Sequence, residues 1–396
     1  MTHPAPIDAT LVRRTSQPFY EARTLPASAY QSPEVLAWER EHFLADSWIC
    51  AGRSDELSEP GSQRAMDAGG LGILLLRGSD GELRGFHNTC RHRGHELLVC
   101  GASTNRSTVQ CPYHRWTYGL DGSFKGGPGM AAQPGFDKSD PEHSLRRAAL
   151  REWHGWIFVN PSGEAPDFDT HVGNLDALVA PYEPERMFVG AWHSYEIAAN
   201  WKVIIENYHE CYHCSEIHPE LCAVSSPTSG EGMQPTGLWV GGTMELRDGV
   251  ETMSLDGKSG GVRIRGLDDR AARDVGYYML WPNLLISPHP DYVMTHRIEP
   301  LAPDRTFVEC QWLFPPESRD QPGFDPSFAA DFWDVTNRQD WNACESVQRG
   351  GAGPGYRQAP YSEQEVQVYE FDLMVAQGYL NGGVREPVPH FSDVRR

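Results

Sequence analysis

No stretch of this 396-residue chain approaches the roughly 20 consecutive apolar residues that a membrane helix needs, so no transmembrane anchor is expected. Residues 1–20 lack the apolar centre of a secretory signal, which favours a cytoplasmic protein. Basic residues are also in short supply: 34 Lys+Arg against 54 Asp+Glu leave a formal net charge of −20. A surface of that sign repels nucleic acid and anionic lipid, and both are excluded as main partners. No Gly-x-Gly-x-x-Gly follows a strand and no four-cysteine iron–sulfur pattern is present, so NAD and flavin have no evident site here. Nine cysteines, an odd number in a reducing compartment, suit a core or a metal better than a disulfide framework. Sixteen histidines stand beside them, and metal is the first chemistry the composition suggests.

Along the chain, a polar arm leads into residues 33–48, where Val35, Leu36, Trp38, His42 and Phe43 can share one helical face. From 61 to about 161 the signals are short strands and tight turns, with hairpins at 72–87 and 115–124 and a closing strand at 156–159. Beyond 167 the pattern changes. Helix is expected at 170–183, at 201–217, at 326–349 and at 362–380, with strands of an antiparallel sheet near 188–198, 236–247, 277–287, 292–299 and 305–314. The plan is α+β: a small all-β domain inserted near the start of a larger domain whose antiparallel sheet is flanked by helices, a helix-grip-like arrangement.

Two loops carry the first candidate ligands: Cys90-Arg-His92 and Cys111-Pro-Tyr-His114, separated by the 18 residues 93–110. A mononuclear zinc site is one alternative, yet zinc fingers group two cysteines in one knuckle and two histidines on one helix. Here each loop mixes one thiolate with one imidazole. A two-iron cluster accommodates that mixture, with both sulfurs on one iron and both imidazoles on the other, which is Rieske [2Fe–2S] ligation. His95 and Cys100 fall outside this spacing.

The second constellation runs from Glu206 to Glu220, with three histidines and four acids. Helical periodicity pairs His209 with His213, whereas His213 and His218 lie about 140° apart on an ideal helix. Pro219 disfavours helix at His218 and would let that ring swing back, so periodicity leaves both pairs open.

The two loops, residues 206–221 and the stretches 337–350 and 360–370 together resemble the Rieske non-heme iron oxygenase α subunits. Within them the chain is most similar to the branch of choline monooxygenase, glycine betaine demethylase and stachydrine demethylase. The resemblance covers nearly the whole chain and implies an arm and helix over 1–50 packing on the catalytic domain, an iron–sulfur domain over 51–163 and a catalytic domain over 164–396. It implies Cys90, His92, Cys111 and His114 as cluster ligands. His213, His218 and Asp340 are implied as a two-histidine, one-carboxylate site for Fe(II), with Asp334 and Glu345 as competing carboxylates. Glu210, where many ring-hydroxylating relatives carry Asp, is implied to lie between the cluster of one subunit and the iron of its neighbour in a homotrimer. His209 is expected to be a hydrogen-bonding neighbour, and Cys211, Cys214 and Cys222 to pack or to line the pocket.

The implied reaction is monooxygenation or dioxygenation with O2 and electrons from a separate flavin and iron–sulfur reductase, NAD(P)H acting only through that partner. Arg91, Arg93 and Arg115 are the expected docking patch. The substrate branch implies attack on a carbon beside a quaternary ammonium nitrogen, with oxidative N-demethylation of a betaine-like small molecule as the expected outcome. Such a cation is best held by aromatic faces, for which Tyr208, Tyr212, Trp239, Tyr277, Tyr278 and Trp281 are the candidates. An aromatic or other small organic substrate is the first alternative, and a non-catalytic electron carrier, which would leave His213, His218 and Asp340 idle, the second.

Overall fold

The computed structural model describes residues 4–386. They form two units: Arg40–Phe168, and the chain on either side of it.

In Arg40–Phe168, a seven-stranded antiparallel sheet runs in the order Ile49–Arg53, Trp156–Asn160, Arg147–Trp153, Leu83–His87, Leu71–Arg77, Ser62–Ala68, Ser103–Asn105. A three-stranded sheet of Val109–Gln110, Thr117–Tyr118 and Phe124–Gly126 completes it. The period-two alternation of a strand explains how the strand Leu71–Arg77 serves two cores at once. Ile73 and Leu75 pack with Ile49, Ile157 and Val159, while Leu74 and Leu76 pack with Phe86, Val109, Tyr118 and the two cysteines Cys90 and Cys111. The expected arm of residues 1–50 divides at Glu39/Arg40 rather than remaining whole. Leu44 and Ile49 belong to the β unit's core, and Asn160 donates its side-chain amide to the carbonyls of Ala45 (3.0 Å) and Ser47 (2.9 Å).

The other unit is built on a seven-stranded antiparallel sheet in the order Phe188–Ile197, Arg305–Phe314, Val293–Ala302, Leu284–Pro288, Asp274–Leu280, Trp239–Glu245, Glu231–Gly232. Helix Ser327–Gly351 packs on the first of these strands, Trp201–Tyr208 on Val293–Ala302, and Val366–Asn381 on Trp239–Glu245. The expected helix at 170–183 is split into Phe168–Val172 and Leu175–Val179. Gly173 between them has φ +55°, and a Cβ there would lie 1.6 Å from the Thr236 carbonyl oxygen. The expected strand at 277–287 is two strands, because the chain turns at 281–283. Among the described residues no helix is long and apolar enough to cross a membrane.

One polar group in this core has a measurable consequence. Glu39 (1% exposed) meets the Lys202 ammonium at 2.7 Å, the Trp201 indole N–H at 2.9 Å and the Tyr379 hydroxyl, with Lys202 itself fully buried. Burial lowers the Lys202 pKa and Glu39 opposes it. Removing one partner of a buried pair strands the other charge, so Lys202→Met should cost about 3–5 kcal/mol in denaturant unfolding. The double change Lys202→Met with Glu39→Gln should recover part of that loss.

Candidate oxygenase site

The two Cys/His loops share one backbone design. Cys90 N–H donates to the His95 carbonyl (2.8 Å) and its carbonyl accepts from Gly94 (3.0 Å); Cys111 does the same with Trp116 (2.8 Å) and Arg115 (3.0 Å). Gly94 and Arg115 are therefore equivalent positions, and both are left-handed, at φ +71° and +58°. Arg115 adopts a conformation that side chains rarely take, which ties this strain to the loop's geometry. The sulfurs point inward: Cys90 is 2% and Cys111 1% exposed, whereas His92 is exposed and His114 half-buried. The two imidazoles lie edge to face with centroids 4.7 Å apart, and His92 stacks on Trp116 at 4.9 Å.

Tyr118 accepts the Arg91 N–H (3.0 Å), which frees its own proton for the Cys90 sulfur 3.2 Å away. Burial raises the Cys90 thiol above its ordinary pKa, with Tyr118 acting against it. His114 Nδ1 is buried without a hydrogen-bond partner among the described residues, the condition of a nitrogen reserved for a metal. Buried thiols, outward imidazoles and an orphaned ring nitrogen fit a Rieske cluster.

In the other unit the expected helix at 201–217 is interrupted, and the interruption makes the second centre. Asn200 caps its start by accepting from Lys202 N–H (3.1 Å), and the helix ends at Tyr208. Glu210 then folds back on the chain: one carboxylate oxygen accepts the His213 backbone N–H (3.1 Å) and the other lies 2.5 Å from His213 Nδ1. Glu210 and His213 are thus neighbours through a turn, not through a helical face. A short helix, Cys214–Ile217, follows. His218 leaves helical geometry (φ −120°, ψ 67°) before Pro219 opens the next helix, Pro219–Val224. That break turns His218 toward His213.

Three donor atoms converge. His213 Nε2 and His218 Nε2 are 3.1 Å apart, and Asp340 Oδ1 lies 2.8 Å from the second and 3.3 Å from the first. Donors about 2.1 Å from a metal and at right angles stand about 3 Å apart, so this triangle has the size of one coordination face. The second rings of hydrogen bonds agree: His213 Nδ1–H is taken by Glu210, and His218 Nδ1–H donates to Gln339 Oε1 (2.7 Å), which leaves both Nε2 lone pairs for the centre. Burial pushes the Asp340 carboxyl up, but the two imidazoles outweigh it and hold it below its ordinary value. Burial lowers the His213 pKa, but the nearby Asp340 and Glu210 carboxylates outweigh it and raise it to about 9.

The competing carboxylates are engaged elsewhere. Asp334 accepts from Tyr195 (2.6 Å) and Arg338 (2.8 Å), and Glu345 from the Ala198 N–H (3.2 Å). Cys214 also approaches the two histidines, but its sulfur is bonded to Cys211 in a disulfide. This corrects the expectation of cysteines without covalent partners. The turn at Glu210 brings the two Cα atoms to 4.8 Å, a separation that spacing alone did not reveal.

Residues 184–380 match the family model of the ring-hydroxylating α-subunit catalytic domain, and 47–137 that of the Rieske [2Fe-2S] domain. The glycine betaine monooxygenase oxygenase subunit of Chromohalobacter salexigens is 30% identical over 89% of this chain and 83% of its own. The chain belongs to the Rieske ring-hydroxylating oxygenase α subunits. The carnitine monooxygenase oxygenase subunit of Escherichia coli K12 is also 30% identical, over 85% of this chain and 86% of its own. A solved quaternary ammonium Rieske monooxygenase superposes with a TM-score of 0.78 at 25% identity, covering 96% of this chain and all of the other.

In this Rieske oxygenase, His213, His218 and Asp340 face a cavity of about 290 Å³. Of the six candidate aromatics, Tyr208 and Tyr277 line it. Their rings stand nearly perpendicular, centroids 6.5 Å apart, and form two walls of a corner. The Tyr208 hydroxyl is fixed 2.7 Å from Ser287 Oγ, and the Tyr277 phenol fits against Gly242, whose added Cβ would sit 2.8 Å from its oxygen. The other four are corrections. Tyr278 follows Tyr277 on one strand and so points to the opposite face. Trp239 is buried with its indole N–H on Asn174 (2.9 Å), Trp281 is buried against Trp201 and Phe371, and Tyr212 is 56% exposed on the turn.

His209 is a cavity neighbour, not part of the triangle: its Nδ1–H donates to the Ile205 carbonyl (2.7 Å), and burial lowers its pKa to about 4, keeping it neutral. Gln339, Trp333 and Glu370 escaped sequence reasoning. Gln339 had one available signal, its place immediately before Asp340.

Proposed function

We propose that this chain is the oxygenase component of a two-protein system that hydroxylates a carbon beside a quaternary ammonium nitrogen, with oxidative N-demethylation of a betaine-like substrate as its reaction. The observation that supports it is the composition of the cavity wall. Tyr208, Tyr277 and Trp333 supply aromatic surface, and the lining acids Glu210, Asp340, Glu363 and Glu370 face no Lys or Arg among the described lining residues. A quaternary ammonium donates no ordinary hydrogen bond and is held by aromatic faces and opposite charge, which are what this wall provides. The named activities of the glycine betaine and carnitine relatives point the same way.

Cys90 and Cys111 would hold one iron of the [2Fe–2S] cluster and His92 and His114 the other, while His213, His218 and Asp340 would hold Fe(II). When bound, the cluster supplies electrons one at a time and the mononuclear iron supplies the oxygen-activating chemistry. The chain's own residues do the rest. Glu210 and Gln339 orient the two imidazoles, and the tyrosine corner sets an N-methyl group before the open side of the triangle. Hydroxylation there gives a hemiaminal-type product that falls apart to formaldehyde and the tertiary amine.

Electron entry is assigned to Arg40–Phe168, within the expected 51–163 domain and its margins, and oxidation to the remaining chain. A separate reductase is the donor, with exposed Arg91, Arg93 and Arg115 as its docking patch. Glu210 is assigned to inter-subunit electron transfer in a homotrimer acting in the cytoplasm; inter-subunit electron transfer is described for the solved quaternary ammonium enzyme. The test is O2 uptake and formaldehyde release with a reductase across glycine betaine, carnitine, choline and stachydrine. At least one should give one formaldehyde per turnover, and silence across all four would transfer the assignment to a non-ammonium substrate.

A further inference from the structure

We infer that the Gln367 amide and the Tyr277 hydroxyl form a subsite for the oxygen-bearing end of the substrate, carboxylate or alcohol. This rests on the quaternary ammonium assignment above and says how the other end of the molecule is read. Both side chains line the cavity, and neither polar group has a hydrogen-bond partner among the described residues. Gln367 is only 9% exposed on helix Val366–Asn381, and an amide so deep in a packed wall is normally hydrogen-bonded. Other uncharged polar groups of the lining are engaged. Ser287 meets the Tyr208 hydroxyl (2.7 Å), Thr336 donates to the Phe332 carbonyl (3.1 Å) and Thr228 meets Ser226 (3.1 Å).

The sheet brings the two free groups over one floor. Gly232 pairs directly with Gly242 across strands Glu231–Gly232 and Trp239–Glu245, and Gly242 pairs in turn with Tyr277. Residues paired in this way present their side-chain positions on the same face. The Tyr277 ring lies across that face: its oxygen would stand 2.8 Å from a Cβ at Gly242 and 3.4 Å from one at Gly230. The Gln367 amide nitrogen comes down on the adjoining position, where a Cβ at Gly232 would collide with it. Glycine at 232 and 242 thus leaves room for phenol and amide above neighbouring points of one ladder. A phenol offers one O–H, and an amide two N–H groups and a carbonyl oxygen, so together they can hold either a carboxylate or a hydroxyl. With no Lys or Arg in the described lining, hydrogen bonds rather than an ion pair read that oxygen. Tyr277 then serves both ends of one molecule. Its ring faces the ammonium in the corner with Tyr208, and its hydroxyl meets the oxygen, which fixes which end turns to the metal face.

The test is calorimetry on the metal-loaded enzyme with two pairs of cations in which methyl groups replace the oxygens. Choline is set against propyltrimethylammonium, and glycine betaine against isobutyltrimethylammonium. Wild-type enzyme should prefer the oxygen-bearing member of at least one pair, and the pair concerned tells alcohol from carboxylate. Gln367→Met and Tyr277→Phe each remove the polar group and keep most of the volume. Each should weaken that member by roughly 5–30-fold and leave its oxygen-free counterpart within about twofold. In turnover the loss should appear mainly in KM. Full mononuclear iron reports an intact cavity, and Tyr277→Phe carries the comparison should Gln367→Met lose it. Wild-type enzyme that binds none of the four cations would overturn the quaternary ammonium assignment together with this one. Wild-type enzyme that binds the cations but ignores the oxygen in both pairs would overturn the subsite alone. So would a preference that survives intact in either variant, or an equal loss of both members of a pair.

Discussion

Replacing Asp340 by alanine is expected to abolish substrate oxidation while the red-brown Rieske chromophore persists. Iron should fall from about three to about two per chain, since a two-iron cluster keeps its ligands and a single-iron site loses one of three. The expectation follows from what remains after the change. His213 Nε2 and His218 Nε2 stay 3.1 Å apart, but the one carboxylate in their plane is gone, and two neutral imidazoles alone hold ferrous iron weakly. The two acids that competed for the ligand position are engaged elsewhere. Asp334 is held by Tyr195 and Arg338, and Glu345 by a backbone N–H. Turnover should drop by at least about 1,000-fold. Asp340→Asn separates charge from shape, because it keeps the side-chain volume and one oxygen but no anion. Both variants should fail alike. Full iron content with turnover in Asp340→Ala would move the third ligand elsewhere.

What could be read from the sequence, and what could not, follows from the range of the forces involved. Cys90, His92, Cys111 and His114 were legible because a cluster demands ligand types at fixed short spacings, and two hairpin loops supply them locally. His213 and His218 were legible by resemblance, but their meeting was not: it depends on Pro219 ending one turn and on Glu210 bending the chain before it, and helical periodicity describes neither. The split at Gly173 comes from a carbonyl at Thr236, a contact across more than sixty residues. The aromatic wall was half legible. Strand parity separates Tyr277 from Tyr278 but cannot say which of the two faces the cavity, and Glu370 sits on a helix buried nearly all round, where no polar stripe marks it.

Glu210 carries the other large expected effect, and its two contacts allow its roles to be separated. One oxygen takes the His213 Nδ1–H and the other caps the His213 backbone N–H, so the side chain fixes a ring and a turn at once. Glu210→Gln keeps an oxygen for one of these contacts and removes the charge. It should retain both metals and lower turnover by about 10–100-fold, the usual cost of disturbing the partner of a metal-bound histidine. If Glu210 also conducts electrons between subunits, the reduced cluster in Glu210→Gln should reoxidise slowly when O2 and substrate are added in a single turnover, although chemical reduction stays normal. Glu210→Ala removes the cap as well, loosens the turn at Cys211–Cys214 and should lose mononuclear iron, which Glu210→Gln should not. A Glu210→Gln enzyme with slow turnover but fast cluster reoxidation would confine Glu210 to orienting His213. Slow reoxidation with a full complement of iron would place the carboxylate on the electron path, because the metal site in that variant is whole and only the charge beside it has changed.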